Sequence, residues 1–271
     1  MPNIPVMKLR PPFKNHGGKY YIATWVINHF PANYEDLKYI EPSGGAASVL
    51  LNKNPSVKGE VYNDLNPKVA NIFHCMRHKP VEFIELIQKI DYSDKSFKDA
   101  GKVEFTYGDP ASGVAELVLR RMSRGGLGKH FSWSHRQRGG RPGDLNAWET
   151  FKILIPKITE RLSTIEIANQ DQISLIKEHD SPNTLFYCDP PYVHSTRTAK
   201  KAYDFEMTDD QHRELAEVLN AAQGKVLISG YDCKLYQELY KGWRCVCKSV
   251  KNNAGQGKTK SNRIEVLWLN Y

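Results

Sequence analysis

Four consecutive residues, Asp189-Pro190-Pro191-Tyr192, put a carboxylate, two residues without amide hydrogens and an aromatic ring side by side. They follow Thr184-Leu185-Phe186-Tyr187-Cys188, an apolar run with the length and composition of a buried strand. Two prolines can neither extend a sheet nor enter a helix interior, so the backbone past the strand is a stiff corner with outward carbonyls. An acid, a free carbonyl and an aromatic face together suit a planar ring that carries an amino group. The two acceptors take the two amino hydrogens, and the tyrosine ring stacks on the plane. The plainer alternative is a proline-rich turn with a satisfied aspartate.

A second set of residues has the makings of a nucleoside site. Glu41-Pro42-Ser43-Gly44-Gly45 follows the apolar Tyr39-Ile40, and Asp64 follows Glu60-Val61-Tyr62-Asn63. Ligands of open α/β sheets bind outside the carboxyl ends of strands, where small residues admit the ligand and an acid takes a ribose hydroxyl. Glu41 there can hold an ammonium group. Upstream, His16-Gly17-Gly18-Lys19 precedes a helical pattern from Tyr20 to Phe30. Its amides and lysine suit a carboxylate or phosphate, or simply the start of a helix.

These residues need a scaffold that alternates strands with helices, and the pattern supplies one. Strands are expected at 39–41, 60–63, 164–168, 184–188, 225–229 and 263–269, with a further one at 243–247. Helices are expected at 46–52, 67–77, 115–122, 147–162 and 208–222. Asn66-Pro67 gives the second helix a capping side chain and a first-turn proline. The rhythm predicts an α/β fold with a mostly parallel, Rossmann-like sheet and helices on both faces. It breaks between 78 and 147, where Ser123–Gly128 and Arg138–Gly143 are rich in Gly and Arg. Between these, Phe131-Ser132-Trp133-Ser134 alternates like a strand or hairpin. The domain reading is therefore a core of 1–77 and 148–271, with 78–147 inserted.

Charge singles out the same insertion. The 271 residues carry a net charge of +8. From Leu117 to Gly143 there is no acid, but there are Arg120, Arg121, Arg124, Lys129, Arg136, Arg138 and Arg141. A second acid-free stretch, Lys248 to Arg263, adds Lys251, Lys258 and Lys260. Clustered cations of this kind fit a polyanion partner, nucleic acid above all, and the insertion is the candidate module for reading it. No apolar run reaches the length of a membrane span and no secretory signal opens the chain, so a cytoplasmic protein is expected. Five cysteines without a C-x-x-C pair predict neither disulfides nor a zinc ribbon, and Cys245 and Cys247 read as buried packing residues. The histidines lack ligand spacing, and no metal is expected.

Taken together, the motifs resemble the Dam-like (D12 class, alpha-group) DNA adenine-N6 methyltransferases over nearly the whole chain. Gly17-Gly18-Lys19 matches the family's G-G-K, and Glu41-Pro42-Ser43-Gly44-Gly45-Ala46-Ala47 its E-P-F-x-G-x-G. Asp64 matches its ribose-binding acid, and Asp189 to Tyr192 its catalytic D-P-P-Y. Asp171, after Ile167-Ala168-Asn169-Gln170, and the closing Ser261–Leu267 are weaker matches. Ser43 replaces a Phe, Asn15 a Trp, and Ala47 the last Gly of the loop, a mild substitution for a packing glycine.

The resemblance implies a class I fold dependent on S-adenosylmethionine. It also implies a cofactor site that includes Glu41, Asp64, Asp171 and Asp189, and methyl transfer to N6 of adenine in double-stranded DNA. The base would be flipped out onto Asp189, Pro190, Pro191 and Tyr192, while the basic insertion holds the duplex. Three rivals stand beside it: an N4-cytosine DNA methyltransferase, an RNA adenine methyltransferase, and a silent DNA-binding protein on the same scaffold. A leading Asp in the tetrad favours adenine over cytosine, and an internal basic segment favours DNA over RNA.

Overall fold

The computed structural model describes residues 9–15, 17–134, 137–197, 204–251 and 262–271 of the chain. Helix α1 (Ala23–Ile27) precedes strands β1 (Lys38–Glu41) and β2 (Glu60–Asn63). Helices α2 (Pro67–His78), α3 (Pro80–Gln88), α4 (Asp94–Ala100) and α5 (Pro110–Met122) follow. Next come a short hairpin, β3 (Gln137–Arg138) with β4 (Arg141–Pro142), and the long helix α6 (Gly143–Leu162). The chain then alternates through β5 (Ile165–Ala168), α7 (Gln172–His179), β6 (Thr184–Cys188), α8 (Asp209–Ala221), β7 (Lys225–Tyr231) and α9 (Lys234–Leu239). It closes on β8 (Arg244–Lys251) and β9 (Asn262–Leu269).

The main sheet has seven strands in the order β5-β2-β1-β6-β7-β9-β8. Strand β1 runs parallel to β2 and β6, and β6 parallel to β7; β9 is antiparallel to β7 and β8. This is the mostly parallel, Rossmann-like α/β sheet that the sequence predicts. Its order reverses at β1, the place where such sheets hold ligands.

Contacts divide the chain into two compact units. The first comprises Met1–Thr24, Gly45–Asn54 and Asn66–Asn169, and the second Trp25–Gly44, Pro55–Leu65 and Gln170–Tyr271. In the second unit, Tyr39, Ile40, Val61, Leu185, Phe186, Leu227, Ile228 and Leu267 are fully buried along the sheet. Each such aliphatic or aromatic side chain contributes about 1.5–3 kcal/mol, enough together to hold strands of only four residues in place. The first unit is helical. There Phe73, Met76, Phe83, Leu117, Val118 and Trp148 fill the core between α2, α3, α5 and α6. Buried Asn71 on α2 accepts from the Gly108 amide at 2.7 Å and donates to Asp109 O and Ser112 Oγ, which fixes the capped start of α5. Residues 78–147 lie inside this unit along with its other segments.

Local rules account for most element ends. Asn66 accepts from the Lys68 amide at the start of α2, with Pro67 in its first turn. Thr208 and Gln211 form a reciprocal capping box on α8.

Several expectations need correction. The helical pattern of 20–30 yields only the five residues of α1. The predicted helix 46–52 is instead a buried series of turns, because Ala47 sits at φ 55°, in the left-handed region that an α-helix cannot contain. The hairpin falls on 137–142 rather than 131–134. Gly139 and Gly140 both take positive φ there and supply the tight turn, while Phe131 makes only an isolated bridge to Ser123. Cys245 and Cys247 are exposed, since β8 is the edge strand of the sheet.

Ala47 thus stands where glycine is favoured for its conformation, not for its size. Ala47→Gly is expected to change stability by less than about 0.5 kcal/mol. Relief of about 1 kcal/mol of left-handed strain offsets the loss of a buried methyl worth about 0.8 kcal/mol. Urea unfolding checks this: a loss of about 2 kcal/mol, helix propensity plus methyl, is what a helical Ala47 would give.

Candidate active site

An acid stands at or just past the carboxyl end of each of β2, β1 and β6. Glu41 is the last residue of β1 and stands in register with Tyr62 of β2. Asp64 lies two residues beyond Tyr62. On the other side, Ile40 pairs with Phe186 of β6, which places Glu41 level with Tyr187 and Asp189 two residues further on. With parallel strands about 4.8 Å apart, Asp64 and Asp189 flank Glu41 at one edge of the sheet. The sequence puts them there because each of three apolar runs ends in an acid at the point where the chain leaves the sheet.

Two of these acids, Glu41 and Asp189, have defined neighbours. Buried Glu41 accepts a hydrogen bond from the Tyr39 hydroxyl at 2.7 Å. Burial first, and then the Glu41 carboxylate, push the Tyr39 phenol well above its ordinary pKa, so it remains a donor. Asp189 is half-buried, and its Oδ1 accepts from the Ser229 hydroxyl at 2.6 Å. Pro190 is buried behind it, and Pro191 is half-buried.

Tyr192 is 4% exposed, its hydroxyl donates to Glu265 Oε2 at 2.7 Å, and its ring meets Tyr231 edge-on at 4.7 Å. Arg263 in turn donates to the Tyr231 hydroxyl at 3.1 Å. Burial, then Asp189 and Glu265, raise the Tyr192 phenol well above its usual range. The tyrosine is therefore a locked neutral wall of the corner.

The loops above these strands are tied together by Asn63, the last residue of β2. Its side chain is fully buried and donates to Pro42 O at 2.7 Å and Gln170 O at 3.0 Å, while its Oδ1 accepts from the Gln170 amide at 2.9 Å. The Gly44 amide donates to the Asn63 backbone carbonyl at 2.8 Å. A Cβ on Gly44 would lie 2.2 Å from the Tyr62 ring, so this position needs a glycine. Ser43 donates to Gln172 Oε1 at 2.8 Å. Asp171, matched to the family's cofactor acid, has its Oδ1 engaged in capping α7 through the amides of Ile173 and Ser174.

In the helical unit, the Gly17-Gly18-Lys19 turn and Gly45 meet around Asn15. Gly17 takes φ 72°, the Gly18 amide donates to Asn15 O, and a Cβ on Gly45 would lie 2.5 Å from Asn15 Nδ2. Lys19 is buried, with its Nζ donating to Gly17 O at 2.8 Å.

The basic stretch is not uniform. Arg120 pairs with Glu116 at 2.6 Å, both largely buried, over the Phe13 ring. Arg121 donates to Pro12 O and Ala147 O and lies 4.0 Å from the Phe151 centroid. Desolvation lowers its pKa to about 10, and it is still charged at neutral pH. Both arginines hold the helical unit together. Arg124, Lys129 and Arg141 are exposed. Arg136 lies outside the described residues, as do Lys258 and Lys260, and of Arg138 only the backbone is described.

Sequence reasoning missed Ser229, Glu265 and Asn63. Ser229 had a signal, as the one hydroxyl in the apolar run 225–229. Glu265 had another, as an acid inside the apolar closing strand.

A mostly parallel α/β sheet with acids at the ends of three neighbouring strands defines the class of fold, and comparison with known proteins narrows it. The family described as D12 class N6 adenine-specific DNA methyltransferase matches residues 16–107 and 144–254, and the chain belongs to it. It is an adenine-specific DNA methyltransferase, with S-adenosylmethionine as methyl donor.

The chain is 23% identical to a DNA adenine methylase of Haemophilus influenzae, over 97% of this chain and 94% of that protein. It is 24% identical to the type II methyltransferase M1.LlaDCHI of Lactococcus lactis subsp. cremoris, over 98% and 96%. Among solved structures, an rRNA methyltransferase, aviRa of Streptomyces viridochromogenes, covers 98% of this chain and 89% of its own. Its identity is 10% and its TM-score 0.42, a likeness too slight to bear on the reaction.

Proposed function

We propose that this enzyme acts on adenine flipped out of double-stranded DNA, with Asp189 and the Pro190 carbonyl receiving the amine. The observation that carries this is the row of acids at the ends of β2, β1 and β6, with the proline corner beside them. The adenine amine is a poor nucleophile because its lone pair is delocalised into the ring. Two acceptors on its two N–H bonds draw the nitrogen toward a tetrahedral shape and localise the pair. Tyr192 walls the corner in this reading, with Glu265 and Tyr231 keeping it in place. A base inside a duplex cannot reach such a corner, which is why extrusion belongs to the proposal.

The donor set fits the cofactor. S-adenosylmethionine supplies a methyl group already activated by its sulfonium. Glu41 suits its ammonium group and Asp64 its ribose hydroxyls, and the family match adds the Gly17-Gly18-Lys19 and Pro42-Ser43-Gly44-Gly45 motifs to the cofactor residues. An edge lined by carboxylates favours a cationic ligand. Asp171 serves the α7 cap in this reading. The insertion 78–147 takes the duplex, with Arg124, Lys129 and Arg141 as exposed cations of the described residues and Arg136 and Arg138 completing the basic set. Phosphate contacts fix position, and arginines on base edges supply sequence choice.

The cofactor half of the proposal is tested at Asp64. Loss of a charged hydrogen bond to the ribose is worth about 1.5–3 kcal/mol. Asp64→Ala is therefore expected to weaken S-adenosylmethionine binding by roughly 10- to 100-fold in calorimetric titration, with DNA affinity unchanged. Equal loss of both affinities would count against the assignment.

A further inference from the structure

We infer that Ser229 is a positioning residue that sets the rotation of the Asp189 carboxylate, an inference that rests on the assignment of Asp189 to the amine. Ser229 lies on β7, the strand next to β6, and the pairing of Cys188 with Ile228 brings it level with Asp189. It is 1% exposed, so its hydroxyl must find its partners inside the protein. Its one proton has two nearby acceptors, Asp189 Oδ1 at 2.6 Å and Cys188 O at 3.4 Å. The short contact to the carboxylate has the length of a charge-assisted bond, and the proton goes there.

The polarity of this bond is fixed from behind. Tyr187 Oη lies 3.4 Å from Ser229 Oγ in the buried strand β6. Burial, then Asp189, push its phenol well above the ordinary range, and with the serine proton committed to Asp189 the phenol is the donor of this pair. The order is Tyr187 to Ser229 to Asp189, each hydroxyl giving its proton toward the carboxylate. Rotation of a carboxylate about its last bond is broad and two-fold, so a carboxylate without an anchor spreads over many orientations. With Oδ1 held, one orientation prevails, and an amine arriving at the proline corner meets an acceptor already aimed. Reactions that depend on such alignment lose about 100-fold for a displacement near 1 Å.

The test compares Ser229→Ala and Ser229→Thr with the native enzyme in single-turnover methyl transfer, alongside titrations with S-adenosylmethionine and with an oligonucleotide duplex. Ser229→Ala is expected to lower the rate of the methyl-transfer step by about 10- to 100-fold, with both affinities kept within about twofold of native. Ser229→Thr, which restores the hydroxyl on a strand that tolerates β-branching, is expected to recover most of the rate. Near-native turnover in Ser229→Ala overturns the inference. So does a loss shared equally with cofactor or DNA binding, or a Ser229→Thr enzyme that melts like the native protein yet stays as slow as Ser229→Ala. Asp189→Ala run in parallel keeps the two claims apart. If Asp189→Ala is inactive and Ser229→Ala is not, only the positioning role falls; if Asp189→Ala is active, the assignment of Asp189 itself falls.

Discussion

Asp189→Ala is expected to leave a folded enzyme that still binds DNA but transfers methyl groups at least about a thousandfold more slowly. The magnitude follows from what the carboxylate does. Removing a single preorganised polar partner of a reacting group typically costs about 10²–10³ in rate. Here the lost group also holds one of the two amine hydrogens, so orientation goes with it. The fold should survive because Asp189 is only half-buried and sits past the end of β6, whose five residues stay packed. Its main structural debt is the Ser229 hydroxyl, which loses its short partner at a cost of about 1–3 kcal/mol. Radiolabelled methyl transfer to a duplex, with binding measured separately, gives the answer. Turnover near the native rate would remove Asp189 from the reaction altogether.

The second large effect concerns stability. Asn63→Asp keeps the shape of the side chain and replaces its two donated hydrogens by an oxygen. That oxygen then faces the carbonyls of Pro42 and Gln170, at 2.7 and 3.0 Å, inside the protein. A buried charge set against two acceptors costs about 3–5 kcal/mol. For a chain of this size that corresponds to a fall in melting temperature of roughly 10 °C.

The sign of the pH dependence is opposite to that of a paired carboxylate. The folded protein disfavours the ionised form, so the new carboxyl has a folded-state pKa above its unfolded value near 3.9. The penalty is then full above the folded-state pKa and shrinks as pH falls toward the unfolded value. Thermal melts of both proteins between neutral and mildly acidic pH test this. A gap that stays constant or widens on acidification would show that the two carbonyls are not the cause.

The strand ends were legible in the sequence because chemistry and pattern coincide there. The runs before Glu41, Asp64 and Asp189 are short, apolar and ended by an acid, and β2 begins and ends where the pattern puts it. The proline corner was legible for the same local reason. What escaped depends on partners remote in the chain. Ser229 gains its role only because β7 lies beside β6, and Asn63 only because it reaches Gln170, far along the sequence.

Charge misled in one direction. Arg120 and Arg121 belong to a run that looks like a surface, yet a helix of thirteen residues must turn one side inward. The aromatic rings of Phe13 and Phe151 give that side a place for a guanidinium. Ala47 misled in another way, since a helix former among apolar residues carries no mark of left-handed backbone.

The interleaving of the two units bears on how the chain comes to be folded. Lys38 at the start of β1 pairs with Thr184 of β6. At about 5–20 residues per second of synthesis, β1 leaves the ribosome roughly 7–30 s before that partner exists. The helical unit is complete at Asn169, whereas the sheet needs β9, which runs to Leu269. Helical contacts are mostly local and form fast, while distant strand pairing is slow. The unit that carries the basic stretch can therefore be finished during translation, and the acid-tipped edge is assembled last. Through that interval Tyr39 and Ile40, fully buried in the finished sheet, have no neighbour on the β6 side.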